Sequence, residues 1–347
     1  MRILLVTNMR PSPQKPYSGI FVINQYNKLK EDTSLNVALF SMERTFTNAF
    51  GSYLKYFKAI VAFIPCFFKK FDVLHIHYFF PFIALAHFYK VIRPSTRLVV
   101  TFHGSDINVR VNQSNLSVFR FFTKKIDYVI SVGADLAHMV HEKLGLETNQ
   151  ILSAGIDETV FHEMPKVEKK YHFTFASSFV PRKGIDVFLK AIELLNKKNI
   201  KYCFIGSGEL ETDVRSLAEV NDITIKLNLK QIEMAEVFNQ SYYHILPSRF
   251  EPFGLVVTES MFCGTPSIVS NVGGIKDQVK NNINGFIISE NTPYVLADQM
   301  ERCLDYIYNG EYDLLREQCL CSNKEHSIAN VIAETKAIYT NLVSKAQ

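Results

Sequence analysis

Two carboxylates, Glu251 and Glu259, stand on either side of Gly254 in the stretch Pro247-Ser-Arg-Phe-Glu-Pro-Phe-Gly-Leu-Val-Val-Thr-Glu259. Residues 244–246 form a short apolar run that reads as a buried strand. Residues 255–263 contain neither Gly nor Pro and read as a helix. Pro252 forces Glu251 into an extended backbone, and Gly254 removes the side chain where the helix starts, so the first free N–H groups are open to a ligand. Such a helix start attracts anions. Glu259 then sits about 5 residues, roughly 7 Å, into the helix. Neither acid assists phosphate by charge, so both are expected to face hydroxyls. One accepts from a ribose diol beside a helix-bound diphosphate, and the other is left for a second polyol. A nucleotide sugar carries both diols.

Two further groups have the chemistry such a ligand needs. Arg182 and Lys183 precede Gly184 at a helix start and would complement phosphates arriving at Gly254. His103, in Thr101-Phe-His-Gly-Ser-Asp106, falls at the carboxyl end of an expected strand, where it can offer a side chain and a carbonyl to a ligand. Asp106 reads as a helix N-cap. His75 and His77 share a strand face, but no third ligand lies nearby in sequence to complete a metal site. His138 and His141 read as a solvated helix face.

The string from Pro247 to Gly274, with its Glu-x7-Glu spacing, resembles the signature of the retaining group 1 glycosyltransferases. The resemblance runs over nearly the whole chain. Thr101 to Asp106 resembles that family's His-Gly-x-Asp loop, and Ser153-Ala-Gly-Ile-Asp157 its Asn-Gly-Val-Asp segment, with Ala154 in place of the asparagine. Lys183 matches the lysine of a Gly-Arg…Lys-Gly pattern, while Ser178 holds the arginine's place. The resemblance implies the GT-B architecture: two Rossmann-like, doubly wound parallel-sheet domains facing across a cleft. It implies transfer of a hexose from a nucleotide-diphosphate sugar to an acceptor hydroxyl, with retention, in bacterial-type polysaccharide or lipid-linked glycan assembly.

Residue by residue, the resemblance assigns the sugar hydroxyls to Glu251, the ribose to Glu259, and the diphosphate to Lys183 and the Gly254 helix. His103 is assigned the sugar from the opposite lobe. Gly19, Arg182, Gly206, Phe253, Leu255 and Val256 complete the expected donor site. No Asp-x-Asp motif is present, so no metal ligand and no cofactor are expected. A nucleotide-sugar epimerase or hydrolase, or a non-catalytic binding subunit, are the alternative readings.

The elements that would position these groups follow from periodicity. Strands are expected at 3–7, 36–40, 73–77, 98–101, 128–132 and 150–153, then at 171–176, 202–205, 223–227, 244–246, 267–270 and 285–288. Helix-length segments separate them, which implies parallel sheets with ligands beyond the carboxyl ends of the strands. The expected domains are 1–165 and 166–325, with a charged linker at 165–170 and a last helix, 326–347, crossing back to the first domain.

With 347 residues the chain is long enough for two such domains. The apolar start Met1-Arg-Ile-Leu-Leu-Val-Thr reads as a strand rather than a signal peptide. Six cysteines, mostly within apolar runs, suggest a reduced, cytoplasmic setting. Charge is uneven: residues 1–165 carry 18 Lys and Arg against 12 Asp and Glu, and the remainder 20 against 22. Lysines cluster with aromatics around 53–58, 67–71 and 119–125, a combination suited to an anionic membrane surface or to a helix that buries Phe and solvates Lys. The expected partners are a nucleotide-sugar donor, a glycan or lipid-linked glycan acceptor and an anionic inner-membrane surface met by the first domain. Nucleic acid is not among them, because no recognition motif is present.

Overall fold

A computed structural model of the chain describes residues 1–12, 18–42, 49–108, 111–112 and 114–345, with the side chains of 49–55 excepted. Part of the proline-rich loop ahead of Gly19, and the side chains of Tyr53 and Lys55, therefore lie outside the described residues. Two compact units result, 1–155 with 328–347, and 156–327.

The first unit holds β1 (Arg2–Thr7), β2 (Asn36–Ser41), β3 (Val73–His77), β4 (Arg97–Phe102), β5 (Tyr128–Ser131) and β6 (Gln150–Ile151) in one parallel sheet, ordered β2-β1-β3-β4-β5-β6. The apolar residues of the central strands β1, β3 and β4 are buried on both faces, as expected of parallel strands covered by crossover helices. Thr7, His77 and Thr101 fall in register at the carboxyl ends. The order reverses between β1 and β3, so the loops after these strands open at a switch point. The last helix, Ile328–Ser344, packs Ile328, Val331, Ile332, Ile338 and Tyr339 against residues of β1, β3 and β4.

In the second unit, β7 (Tyr171–Ala176), β8 (Lys201–Ile205), β9 (Asp222–Lys226), β10 (Ser241–Leu246), β11 (Ser267–Ser270) and β12 (Gly285–Ile288) form a parallel sheet ordered β12-β11-β10-β7-β8-β9. Its switch point lies between β7 and β10, where the chain turns from building one half of the sheet to building the other. The loop holding Lys183 follows β7, and the loop holding Glu251 follows β10.

The division between units falls at 155/156, ahead of the expected boundary at 165. Ile156 and Phe161 are buried in a core cluster of the second unit. The expected linker is also tied down: the Met164 N–H donates to Asn239 Oδ1 at 2.7 Å, and Lys169 Nζ donates to the Ser241 carbonyl at 2.7 Å. Lys169 Nζ also lies 6.0 Å and 5.7 Å from the Tyr242 and Tyr312 ring centres, and burial lowers its pKa to about 8. A charged stretch reads as solvated from sequence, but here one lysine is held over aromatic faces.

Candidate functional site

In the second unit the loop after β7 ends in a short 3-10 turn, Pro181–Lys183, and Gly184 then opens the helix Ile185–Leu195. Gly184 has φ 72°, and a Cβ there would lie 1.8 Å from the Pro247 carbonyl oxygen. Only glycine lets the Lys183 loop lie against the Glu251 loop. Gly254 (φ 84°) precedes the eight-residue helix Leu255–Phe262, and a Cβ on it would meet Ile275 Cγ2 at 2.3 Å and Glu251 Cγ at 3.0 Å. Glu251 therefore lies directly beside the helix start.

Lys183 Nζ and a Glu251 carboxylate oxygen form an ion pair in which both side chains are largely buried. The cation expected at the diphosphate and the acid expected at the sugar thus hold each other. Arg182 is exposed and its Nη1 donates to the Phe250 carbonyl at 3.3 Å, so it braces the Glu251 loop. Ser178, which holds the place of the family's arginine, is exposed.

Glu259 lies in the helix Leu255–Phe262, buried, and burial alone raises its carboxyl pKa to about 8. Phe253 is buried, with its ring edge-on to His326 at 5.0 Å, while Leu255 and Val256 are partly buried beside it. Gly206 follows β8 with φ 144°, against the Ser177 carbonyl.

Several residues that shape this loop carry no local signal. Arg249 pairs with both oxygens of Asp186 at 2.7 Å. The Asn291 amide donates to the Pro247 carbonyl at 2.8 Å, and the Gln278 amide to that of Phe253. The Gly274 N–H donates to the Glu251 carbonyl at 3.1 Å. Their partners are distant in sequence, which is why motif reading passes over them. Ser248 Oγ and Asn291 Oδ1 are buried without a hydrogen-bond partner among the described residues.

The first unit carries the expected histidine. His103 Nε2 lies 3.2 Å from His77 Nδ1, and its ring packs against Phe21 at 4.9 Å and Tyr78 at 4.5 Å. His75 bridges Tyr339 Oη at 2.5 Å and Thr101 Oγ1 at 2.7 Å. Burial pushes all three imidazoles well below the usual histidine range. Each is a neutral hydrogen-bonding group at physiological pH. Among the described residues, no group of three or more His, Cys, Asp or Glu is placed to hold a metal.

Asp106 does not cap a helix, as the sequence suggested. It lies within the short helix Ser105–Asn108 and accepts from the N–H groups of Phe79 at 3.1 Å and Gly104 at 2.8 Å, with His103 N–H at 3.3 Å. The buried carboxylate ties the β3 loop to the β4 loop and so fixes His103. Gly19 (φ 68°) would place a Cβ 2.7 Å from the Met9 carbonyl oxygen, so the close approach there is to its own chain. His138 and His141 are exposed on their helix beside Glu142 and Glu147.

Residues 157–306 match the family profile described as Glycosyl transferases group 1, and residues 20–159 that of Glycosyltransferase Family 4. An uncharacterized glycosyltransferase of Methanocaldococcus jannaschii is 26% identical over 89% of this chain and 90% of its own length. The N-acetyl-alpha-D-glucosaminyl L-malate synthase of Bacillus anthracis is 28% identical over 67% of this chain and 65% of its own. Among solved structures, Anabaena HepE in complex with UDP and glucose superposes with a TM-score of 0.76 at 16% identity, over 98% of this chain and 100% of that one. Sucrose-phosphate synthase from Thermosynechococcus elongatus superposes with a TM-score of 0.75 at 16% identity, over 99% of each chain. At such identities the likeness establishes the fold, which is GT-B.

Proposed function

Since the chain belongs to the group 1 glycosyltransferases, we propose that it moves a hexose from a nucleotide-diphosphate sugar to an acceptor hydroxyl with retention of configuration. The observation that carries this reading is the gathering of Lys183, Glu251 and the Gly254 helix start at the switch point of the second unit's sheet. A doubly wound sheet takes its ligand there. The HepE structures hold UDP, with glucose or as UDP-glucose, which supports a nucleotide sugar as donor.

The ion pair sets the order of events. A diphosphate arriving at the N–H groups of Leu255 and Val256 competes with Glu251 for the Lys183 ammonium, and Glu251, once released, accepts from a sugar hydroxyl. Lys183 and the helix start then stabilise charge as the diphosphate departs, and this electrostatic stabilisation is the main source of rate acceleration in the site. Glu259 takes the ribose diol. His103 serves the substrate as a neutral hydrogen-bonding group. This site requires no metal, because an ammonium and a helix start meet the charge of the diphosphate. The acceptor is a lipid-linked glycan at the inner face of the cell membrane, supported by the basic balance of residues 1–165.

Incubation with a panel of nucleotide sugars and a short lipid-analogue acceptor tests the reading. Proton NMR should show one α-linked product from an α-linked donor. Free sugar or an epimer from donor alone identifies a hydrolase or epimerase, and binding without turnover identifies a non-catalytic subunit.

A further inference from the structure

The helices Ala49–Phe67, Ile83–Ile92 and Leu116–Thr123 follow β2, β3 and β4. The connections β2 to β3, β3 to β4 and β4 to β5 all step the same way across the sheet, so the right-handed crossover rule puts these helices on one face. Their inward sides supply core: Ala59 and Phe63, Ala86 and Tyr89, Phe119. The outward sides of such helices are ordinarily polar. Here they are not.

Of the 19 large apolar residues exposed among the described residues, ten belong to these helices or the residue just beyond the first. Phe57, Ile60, Val61, Ile64 and Phe68 recur at helical spacing, and Phe68 is 80% exposed. Phe88, Val91 and Ile92 follow on the second helix, and Val118 and Phe121 on the third. The helices touch in turn. Arg93 donates to the Phe67 carbonyl at 3.3 Å, and the Phe67 and Tyr89 rings lie 5.9 Å apart. The His87 and Phe121 rings lie 5.0 Å apart, those of Phe88 and Phe122 6.0 Å. One surface thus joins three helices.

Its charge has a single sign. Residues 44–126 contain twelve Lys and Arg and only two acids, Asp72 and Asp106. Asp72 pairs with Arg2, and Asp106 is buried on backbone N–H groups. None of the three helices contains an acid, while Lys58, Lys69, Lys70, Arg120, Lys124 and Lys125 are all exposed. Two copies meeting through this face would bring like charges together. An anionic bilayer supplies both an apolar interior for the phenylalanines and negative headgroups for the lysines. Among the described residues no helix is long and apolar enough to cross a membrane, so the helices would lie in its plane.

We propose that this three-helix face docks the protein on an anionic lipid bilayer, with the first helix, through Phe57, Ile64 and Phe68, as its main apolar contact. The proposal deepens the lipid-linked acceptor reading and rests on it for its purpose, but docking itself needs no donor and no turnover.

The chain contains no tryptophan, so Phe68→Trp makes a sole tryptophan at the proposed contact, read by excitation beyond tyrosine absorption, and Tyr294→Trp, in the other unit, a control. With phosphatidylcholine vesicles containing about one-third phosphatidylglycerol at low ionic strength, the Phe68→Trp emission should move to the blue and become protected from acrylamide. The control should not change. The charge reversal Lys58→Glu, Lys69→Glu, Lys70→Glu should lower co-sedimentation with these vesicles about tenfold or more, and Ile64→Asp with Phe68→Asp should do so while circular dichroism stays unchanged. Absence of wild-type co-sedimentation at low ionic strength overturns the proposal. So does an emission already blue-shifted in a dimer and indifferent to vesicles, which would make the face a contact between copies. Transfer to a soluble acceptor, measured separately, reads the catalytic assignment alone.

Discussion

Lys183 and Glu251, 68 residues apart in sequence, form an ion pair whose side chains are only 14% and 9% exposed. Each residue is therefore the other's solvation. In a water-poor site, removing one member strands a charge, whereas removing both costs far less. The pair also makes the site self-screened before ligand arrives. A cation held in place by a carboxylate is preorganised for a diphosphate, yet it binds one only by giving up that carboxylate.

The first prediction follows from this coupling. Lys183→Ala should cost on the order of 3 kcal/mol of stability, because Glu251 is left buried and unpaired. It should also lower turnover on the order of 100-fold or more. Adding Glu251→Gln should restore most of the stability and none of the activity. Urea melts of wild type, both single variants and the double variant measure the coupling. Strict additivity of the two stability losses would mean that the pair does not form.

Glu259 leads to a pH dependence. Its folded-state pKa is about 8, above the ordinary glutamate value of 4.5, because burial disfavours the charged form. A raised pKa contributes stability that is fully present below the unfolded value and is lost as pH rises through the folded one. Between about pH 5 and 8 the stability of wild type should therefore fall relative to Glu259→Gln, by at most about 1.4 kcal/mol per pH unit. Parallel curves for the two proteins over this window would place the carboxyl in contact with water or an unrecognised donor.

Much of this was legible in the sequence. All twelve expected strands are present: β3, β7, β11 and β12 keep both expected ends, and no end of the others moves by more than three residues. The motif residues Gly184 and Gly254 were legible because an αL backbone and a sub-3 Å approach admit only glycine. Other features were not, for a common reason: their partners are remote. Nothing near Lys183 announces Glu251, nothing near Pro247 announces Asn291, and Asp106 looks like a cap until the Phe79 N–H arrives from another strand. The unit boundary was hidden in the same way. Charge at 165–170 suggested solvent, while the side chains of Ile156 and Phe161 and the bonds of Met164 and Lys169 commit that segment to the second unit.

The buried histidines predict the opposite pH trend in the first unit. His75, His77 and His103 have folded-state pKa values below the ordinary 6.5, caused chiefly by burial. A histidine whose pKa is depressed contributes stability that is present above the unfolded value and lost as pH falls. Unfolding below about pH 6.5 should take up as many as three protons, giving a steep loss of stability on mild acidification. Nitrogen NMR of the imidazoles should show all three neutral in the folded protein from pH 8 down to about pH 5.5. A His103 titration centred near 6.5 would remove the neutral role proposed for it.

The last prediction separates the two carboxylates. Glu259→Gln keeps the shape of the side chain but replaces a group that can ionise to accept from both ribose hydroxyls with a weaker acceptor. Above about pH 8, where the Glu259 carboxyl is ionised, the substitution should raise the Kd of nucleoside diphosphate and of intact donor alike, by about tenfold for one charged hydrogen bond. Glu251→Gln acts differently, because it releases Lys183 from its partner. The freed ammonium should bind nucleoside diphosphate at least as tightly as wild type does, while steps that depend on the sugar fail. Titration calorimetry with nucleoside diphosphate, and then with the donor sugar, distinguishes the two variants. Equal loss of nucleoside diphosphate affinity in both would show that Glu251 serves the nucleotide as well, and the division between a ribose acid and a sugar acid would fall.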